Sequence, residues 1–293
     1  MAHTVDATSS IEIASTHAKQ VQRGDRFEFG KNWSRFLGAL NDERIFAAEG
    51  SLRRMLEIDT LVGKTFLDVG SGSGLFSLAA RRLGARVHSF DFDPNSVACT
   101  EELRRRYFPG DDAWTVQEAS ALDVEYLKSL GQFDVVYSWG VLHHTGSMWT
   151  ALDNVHRLVA RRGKLFVAIY NDQGTRSRRW HKAKRIYNTL PRLLKTPWAL
   201  VAIAPTEFKA ALSSLLAGRL GNYLRAWTRV ETARGMSRWH DVIDWVGGYP
   251  FEYAAPDEIF NFYRERGFAL TKLVCKGAGS GCVQYVFEKS DDR

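Results

Sequence analysis

The stretch FLDVGSGSGLFSLAA (residues 66–80) constrains this chain more than any other. An apolar run ends at Asp68, Gly70, Gly72 and Gly74 follow at alternate positions, and a helical pattern then begins. Glycine lets a backbone turn sharply and lets a ligand lie directly on the main chain. The helix start adds unpaired N–H groups and a partial positive charge. A generic strand-to-helix turn also carries glycines, but this one sits inside a βαβ pattern. A second acid, Asp91, closes the next strand seventeen residues past Gly74. An acid there can accept hydrogen bonds from the hydroxyls of a ribose.

The surrounding pattern extends this unit. Short apolar runs at 64–69, 86–91, 113–117, 133–138 and 164–170 read as strands, with helical patterns near 75–84, 95–107, 122–130 and 147–160. Such alternation predicts an α/β fold, a doubly wound, Rossmann-like parallel sheet with helices on both faces. Right-handed crossovers then bring the strand ends and their following loops to one edge. Residues 171–250 break the rhythm, being rich in Arg, Lys and Trp and helical without a strand pattern. A helix at 256–266 and strands at 269–276 and 282–289 follow, with KGAGSG as a hairpin loop between the strands. At the front, residues 1 to about 20 read as a frayed polar start, and Ile45, Ala48, Leu52 and Leu56 recur at helical spacing. The expected organisation is an N-terminal tail and helical lid segment over 1–60 and one domain over 61–293, in which 171–250 is a helical substrate-cap insertion.

Composition narrows the class without choosing a partner. Forty Lys and Arg against 33 Asp and Glu leave a net charge of +7, which favours anionic partners. The three cysteines form no CxxC pair, as suits a reducing compartment. The first twenty residues lack the basic start and apolar block of a signal peptide, and no sequence run approaches the ~20 apolar residues that span a bilayer. A cytoplasmic protein is the expectation.

The loop admits two ligands, a dinucleotide or S-adenosylmethionine (SAM). In the dinucleotide fingerprint the third conserved position is small, yet here it is Leu75, and Asp68 would repel a pyrophosphate. A zwitterionic amino-acid tail fits better, its carboxylate on the backbone amides and its ammonium on Asp68. At this point the chain resembles the class I SAM-dependent methyltransferases, whose first motif is a strand, an acid and G-x-G-x-G. That resemblance implies a seven-stranded sheet with the last strand antiparallel and SAM across the ends of the first, second and fourth strands. It further implies that Asp68, Gly70, Ser71, Gly72 and Gly74 hold the methionine part and Asp91 the ribose. The family's usual Gly-Asp pair is replaced here by Ala119 and Ser120; Ser120 and Ala121 fall near the adenine, and Phe92 is placed to pack on the purine.

FDVVYSWGVLHHTGSM (133–148) is also similar to this family, in which the fourth strand leads to the reacting methyl. Ser138 and Trp139 would then stand beside the sulfonium, where an indole face attracts a cation by about 0.5–2 kcal/mol. Trp139 as a core or lid residue is the plainer alternative. His143 and His144 follow where related small-molecule methyltransferases carry a proton-accepting histidine, and general-base help is worth about 10²- to 10⁴-fold. A cap and a core residue would look the same in sequence. No metal site is expected.

Beyond the fifth strand, Tyr170 and Asn171 should stand on the active edge, and RWHDVIDWVGGYPFEY (238–253) offers His240, Trp245 and Tyr249 as walls of an acceptor site. Phe29, Gly30, Asn32 and Trp33 are placed to form a lid. The basic run from Arg176 to Lys195 reads first as a solvated helix face. Its other readings are RNA phosphates, or an anionic membrane beside the apolar segments 198–205 and 211–218. The function expected is methyl transfer by in-line displacement to an oxygen, or a nitrogen, of a small-molecule or lipid-like acceptor, loosely similar to the ubiquinone-biosynthesis O-methyltransferases. RNA methylation and a SAM-binding scaffold without turnover are the alternatives.

Overall fold

Strands β1 (Thr65–Val69), β2 (Arg86–Asp91), β3 (Trp114–Glu118), β4 (Phe133–Trp139) and β5 (Val159–Tyr170) run parallel in the computed structural model. With β6 (Phe268–Val274) and β7 (Cys282–Lys289) they form one seven-stranded sheet in the order β3-β2-β1-β4-β5-β7-β6. β7 is antiparallel to both of its neighbours, as expected. The structure describes residues 7–30, 33, 37, 38, 40–228, 238–275 and 281–291. The expected hairpin loop KGAGSG falls mostly outside them.

The helices are α1 (Ala7–Arg23), α2 (Asp42–Leu56), α3 (Leu75–Arg82), α4 (Pro94–Tyr107), α5 (Val124–Leu130), α6 (Met148–His156), α7 (Thr175–Thr189), α8 (Arg192–Leu216), α9 (Leu220–Thr228), α10 (Arg238–Gly247) and α11 (Pro256–Arg264). Central strands lack polar alternation because both faces are covered. Leu67, Phe90, Val136, Leu165 and Tyr263 belong to the core on one face, and Leu52, Phe66, Leu78, Trp114 and Tyr137 to the core on the other. A third apolar cluster of Tyr187, Ala199, Ile203 and Val246 joins α7, α8 and α10.

Three expectations need correction. The N-terminal residues from Ala7 are helical, because α1 has a tertiary anchor: His17 is buried, its Nε2 3.6 Å from Asp93 Oδ2 and its ring edge-on to Phe92. β5 begins at Val159, five residues early. Arg161–Gly163 resembles a turn but is absorbed as an irregularity, with Arg162 at φ 55° and a register shift opposite Phe133–Val135. Finally, the expectation that no run approaches bilayer-spanning length fails in the insertion, where Pro197 and Pro205 do not interrupt the helix. Both lie within the 25-residue α8, a helix long and apolar enough to cross a membrane by length and composition.

Candidate active site

The glycine loop folds over the end of β2. The amides of Gly70 and Ser71 donate to Phe90 O at 2.8 and 3.1 Å. Gly70 has φ 79°, and a Cβ there would lie 2.3 Å from Val141 Cγ1, so the loop approaches the post-β4 segment as only glycine permits. Gly72, at φ 55°, donates its amide to Asp91 Oδ2 at 2.9 Å and lies under the Trp33 indole, which a Cβ would meet at 3.3 Å. Gly74 is the residue before α3, and Ser71 Oγ bonds Thr100 Oγ1 on α4 at 2.9 Å.

Three carboxylates approach this edge from adjacent strands. Asp91 accepts from the Gly72 and Asp93 amides, and burial raises it to about 6 despite them. Glu118, its register partner on β3, has Oε1 buried with no hydrogen-bond partner among the described residues. Burial raises its pKa, with Asp93 and Asp91 adding to the effect. Asp68 differs from the expectation of an open ammonium partner. It is buried, its Oδ2 accepts from Ser77 Oγ at 2.5 Å, and burial raises it to about 7.

Ser77 in turn accepts from Ser89 Oγ at 2.8 Å, and Ser89 accepts from Trp114 Nε1 at 3.0 Å. A hydrogen-bond relay thus crosses from β3 through β2 and α3 to β1. Ser138 is likewise internal, with Oγ donating to Val69 O at 2.9 Å, while Trp139 beside it is 38% exposed. Ser120 Oγ accepts from the Leu122 amide and the buried Ala121 passes its carbonyl to Asn154 Nδ2, so both shape the post-β3 turn.

The two histidines occupy a short 3₁₀ turn after β4 and are both buried. His144 Nδ1 lies 2.5 Å from Pro250 O, so that nitrogen carries the proton and donates. Burial takes its pKa down to about 3. His143 packs against Tyr170 with centroids 4.0 Å apart and the rings tilted by 41°, and neither of its ring nitrogens has a partner among the described residues. Burial, then His144 and Lys184, hold it well below the usual histidine range.

A pocket opens beyond Tyr170, lined by Asn171, Gln173, Ser177, Trp180, Trp245, Phe251 and Gly281. Asn171 Oδ1 is buried there without a partner among the described residues. Of the expected acceptor residues, Tyr170, Asn171 and Trp245 meet at this pocket. Tyr249 does not line it: its ring packs 5.8 Å from His181 and its carbonyl accepts from the Phe27 amide. The side chain of His240 lies outside the described residues, as does Asn32 of the expected lid.

Two residues that sequence reasoning did not single out join these parts. Arg26 lies 4.8 Å over the Phe92 ring and donates to His144 O at 3.0 Å; burial lowers its pKa, and Asp91 and Asp93 oppose that only in part. Lys184 is fully buried and donates to Trp245 O, with Nζ 4.4 Å from the Trp245 ring centroid and 4.7 Å from that of Phe251. Burial lowers it to about 7. Its signal was present in spacing: Ser177, Lys184 and Asn188 recur on the buried side of α7, whereas Arg178, Arg179, Lys182 and Arg185 are exposed.

Residues 67–167 match the family model described as a methyltransferase domain. These residues are a methyltransferase domain of the class I SAM-dependent type. Its fold is shared, at TM-score 0.51 and 13% identity over 97% of this chain and all of the other, with magnesium protoporphyrin IX methyltransferase from Synechocystis PCC 6803, solved with SAH bound. An O-methyltransferase family protein from Burkholderia thailandensis gives TM-score 0.52 and 14% identity over 99% of this chain and 75% of that one. Ribosomal protein L11 methyltransferase from Bacillus cytotoxicus is 32% identical over 117 residues. That match covers 35% of this chain and 37% of the relative, so the chain spans well under half the length of such curated relatives.

The residues present fit SAM. The orphaned Glu118 oxygen beside Asp91 is suited to hydroxyl or amino donors of an adenosine, and the Gly70–Gly72 backbone offers a cradle that side chains would fill. Glu118 stands two residues before Ser120, so its sequence signal was an acid at the end of the third strand.

Proposed function

We propose that this chain transfers a methyl group from SAM to an oxygen of a small-molecule or lipid-like acceptor that approaches the sheet edge at Tyr170. One observation carries the reading: His143, with both ring nitrogens unpartnered, backs the Tyr170 wall of a pocket in which Asn171 Oδ1 is also unpartnered. Buried polar atoms are nearly always satisfied, so two such groups on either side of the Tyr170 ring mark this end of the sheet as the place for a polar ligand. SAM supplies an electrophilic methyl on a positively charged sulfur. The chain then has to align the acceptor and exclude water, and alignment is worth about 7–11 kcal/mol in well-oriented reactions.

His143 is the proposed base. Its burial keeps it neutral, hence able to accept a proton throughout the physiological range. A weak base suffices, because an alcohol or phenol oxygen becomes strongly acidic as the methyl arrives. Asp91, Glu118 and the glycine loop are the proposed cofactor contacts, with Asp68 and Ser138 holding their geometry from within. Phe29, Gly30 and Trp33 are the proposed lid.

Incubation with methyl-labelled SAM and separate phenol, alcohol, amine, lipid, RNA and protein fractions tests this. Label in hydroxylated small molecules or lipids, reduced in the His143→Ala variant, is expected. Label confined to RNA or to protein would overturn the acceptor reading. The L11 match favours neither outcome, since it covers only 35% of this chain.

A further inference from the structure

The insertion carries an apolar surface that the enzymatic reading does not use. Of seventeen exposed large apolar side chains among the described residues, eleven lie between 186 and 224. On α8, Leu193 (88% exposed), Leu200, Phe208 (70%) and Leu215 recur every seven or eight residues and so share one face. Leu216 is 81% exposed, and Leu220 and Leu224 on α9 extend the patch. Tyr223 Oη donates to Glu207 Oε2 at 2.8 Å, tying α9 to α8. A soluble surface rarely keeps such a contiguous apolar area unpartnered.

Charge decides what covers it. Residues 173–230 hold twelve Lys and Arg against one acid, Glu207, a formal +11, so the rest of the chain is −4 within the +7 total. Arg185, Arg192, Lys209 and Arg219 are exposed beside the apolar positions. Two copies meeting through this surface would bring like charges together. Leucines offer nothing for nucleic-acid bases to stack on.

We infer that α8 and α9 dock this protein on an anionic lipid bilayer, apolar face in the acyl boundary and cations at the headgroups. At 1.5 Å per residue α8 is about 37 Å long, enough to span. Yet Ala199 and Ile203 are buried against α7 and α10, which holds one side of the helix on the protein and lays it in the membrane plane. The same α7 and α10 carry Trp180 and Trp245, which line the pocket. The inference stands without the acceptor reading, since it concerns binding and not turnover.

Flotation of the full chain with phosphatidylglycerol–phosphatidylcholine vesicles tests it. The protein should float with these vesicles, less so as salt is raised, and weakly with phosphatidylcholine alone. The triple variant Leu193→Ser, Phe208→Ser, Leu215→Ser should partition about tenfold or more less strongly. Its circular dichroism and calorimetric SAM affinity should match the parent, which separates loss of docking from loss of fold. Three results would overturn the inference: failure of the parent to float, flotation of the triple variant equal to the parent's, or a dimer that the triple substitution dissociates while vesicles are ignored. Salt-sensitive RNA binding without vesicle binding would overturn it as well.

Discussion

The amide of Gly72 and the carboxylate of Asp91 meet at 2.9 Å, fastening the centre of the glycine loop to the end of the neighbouring strand. The same carboxylate is the proposed ribose anchor, so loop shape and ligand contact share one group. Asp91→Ala should weaken SAM binding tenfold or more, about 1.5–3 kcal/mol for hydrogen bonds to a charged acceptor. Titration calorimetry is the measurement, and an unchanged affinity would remove Asp91 from the site.

Gly70 should tolerate no side chain while Val141 keeps its own. Gly70→Ala places a Cβ 2.3 Å from Val141 Cγ1 at φ 79° and should destabilise by about 2–4 kcal/mol. Adding Val141→Ala should recover part of that loss in denaturant titrations. Additive losses would mean that the contact is not the cause.

His143→Ala should lower turnover about 10²-fold or more and leave SAM affinity intact. In the parent, the acid limb of the pH–rate profile should lie well below 6.5, because burial depresses His143 and His144 below the ordinary value. A limb at 6.5 that vanishes in the variant would show a solvent-accessible histidine instead.

Asp68 makes the fold sensitive to alkaline conditions. Its folded pKa of about 7 exceeds the ordinary 3.8, so the native state holds a proton that the unfolded state releases. This stability is present in full below about pH 4 and is lost as pH rises through 7. Asp68→Asn should therefore gain Tm relative to the parent between pH 5 and pH 8, by roughly 3 °C or more. Parallel melting curves at both pH values would refute the assignment.

Much of the sheet was legible because buried parallel strands write unbroken apolar runs, and Gly70, Gly72, Asp91 and the β2 limits follow directly from them. What escaped were contacts made by distant segments. Nothing local marks α1 as a helix, since its anchor is Asp93 far along the chain. Asp68 reads as an open acid because Ser77, nine residues on, is visible as a partner only once α3 is folded back. Lys184 was counted with its exposed neighbours although its spacing with Ser177 placed it inside.

The indole N–H of Trp114 can donate but never accept. Both hydroxyls downstream of it are therefore oriented, and their hydrogens turn toward Asp68. A residue on the outermost strand thus holds a vote on the protonation of an acid two strands inward. Neutral drift at that rim of the sheet would retune the floor beneath the glycine bend without touching any group a ligand meets.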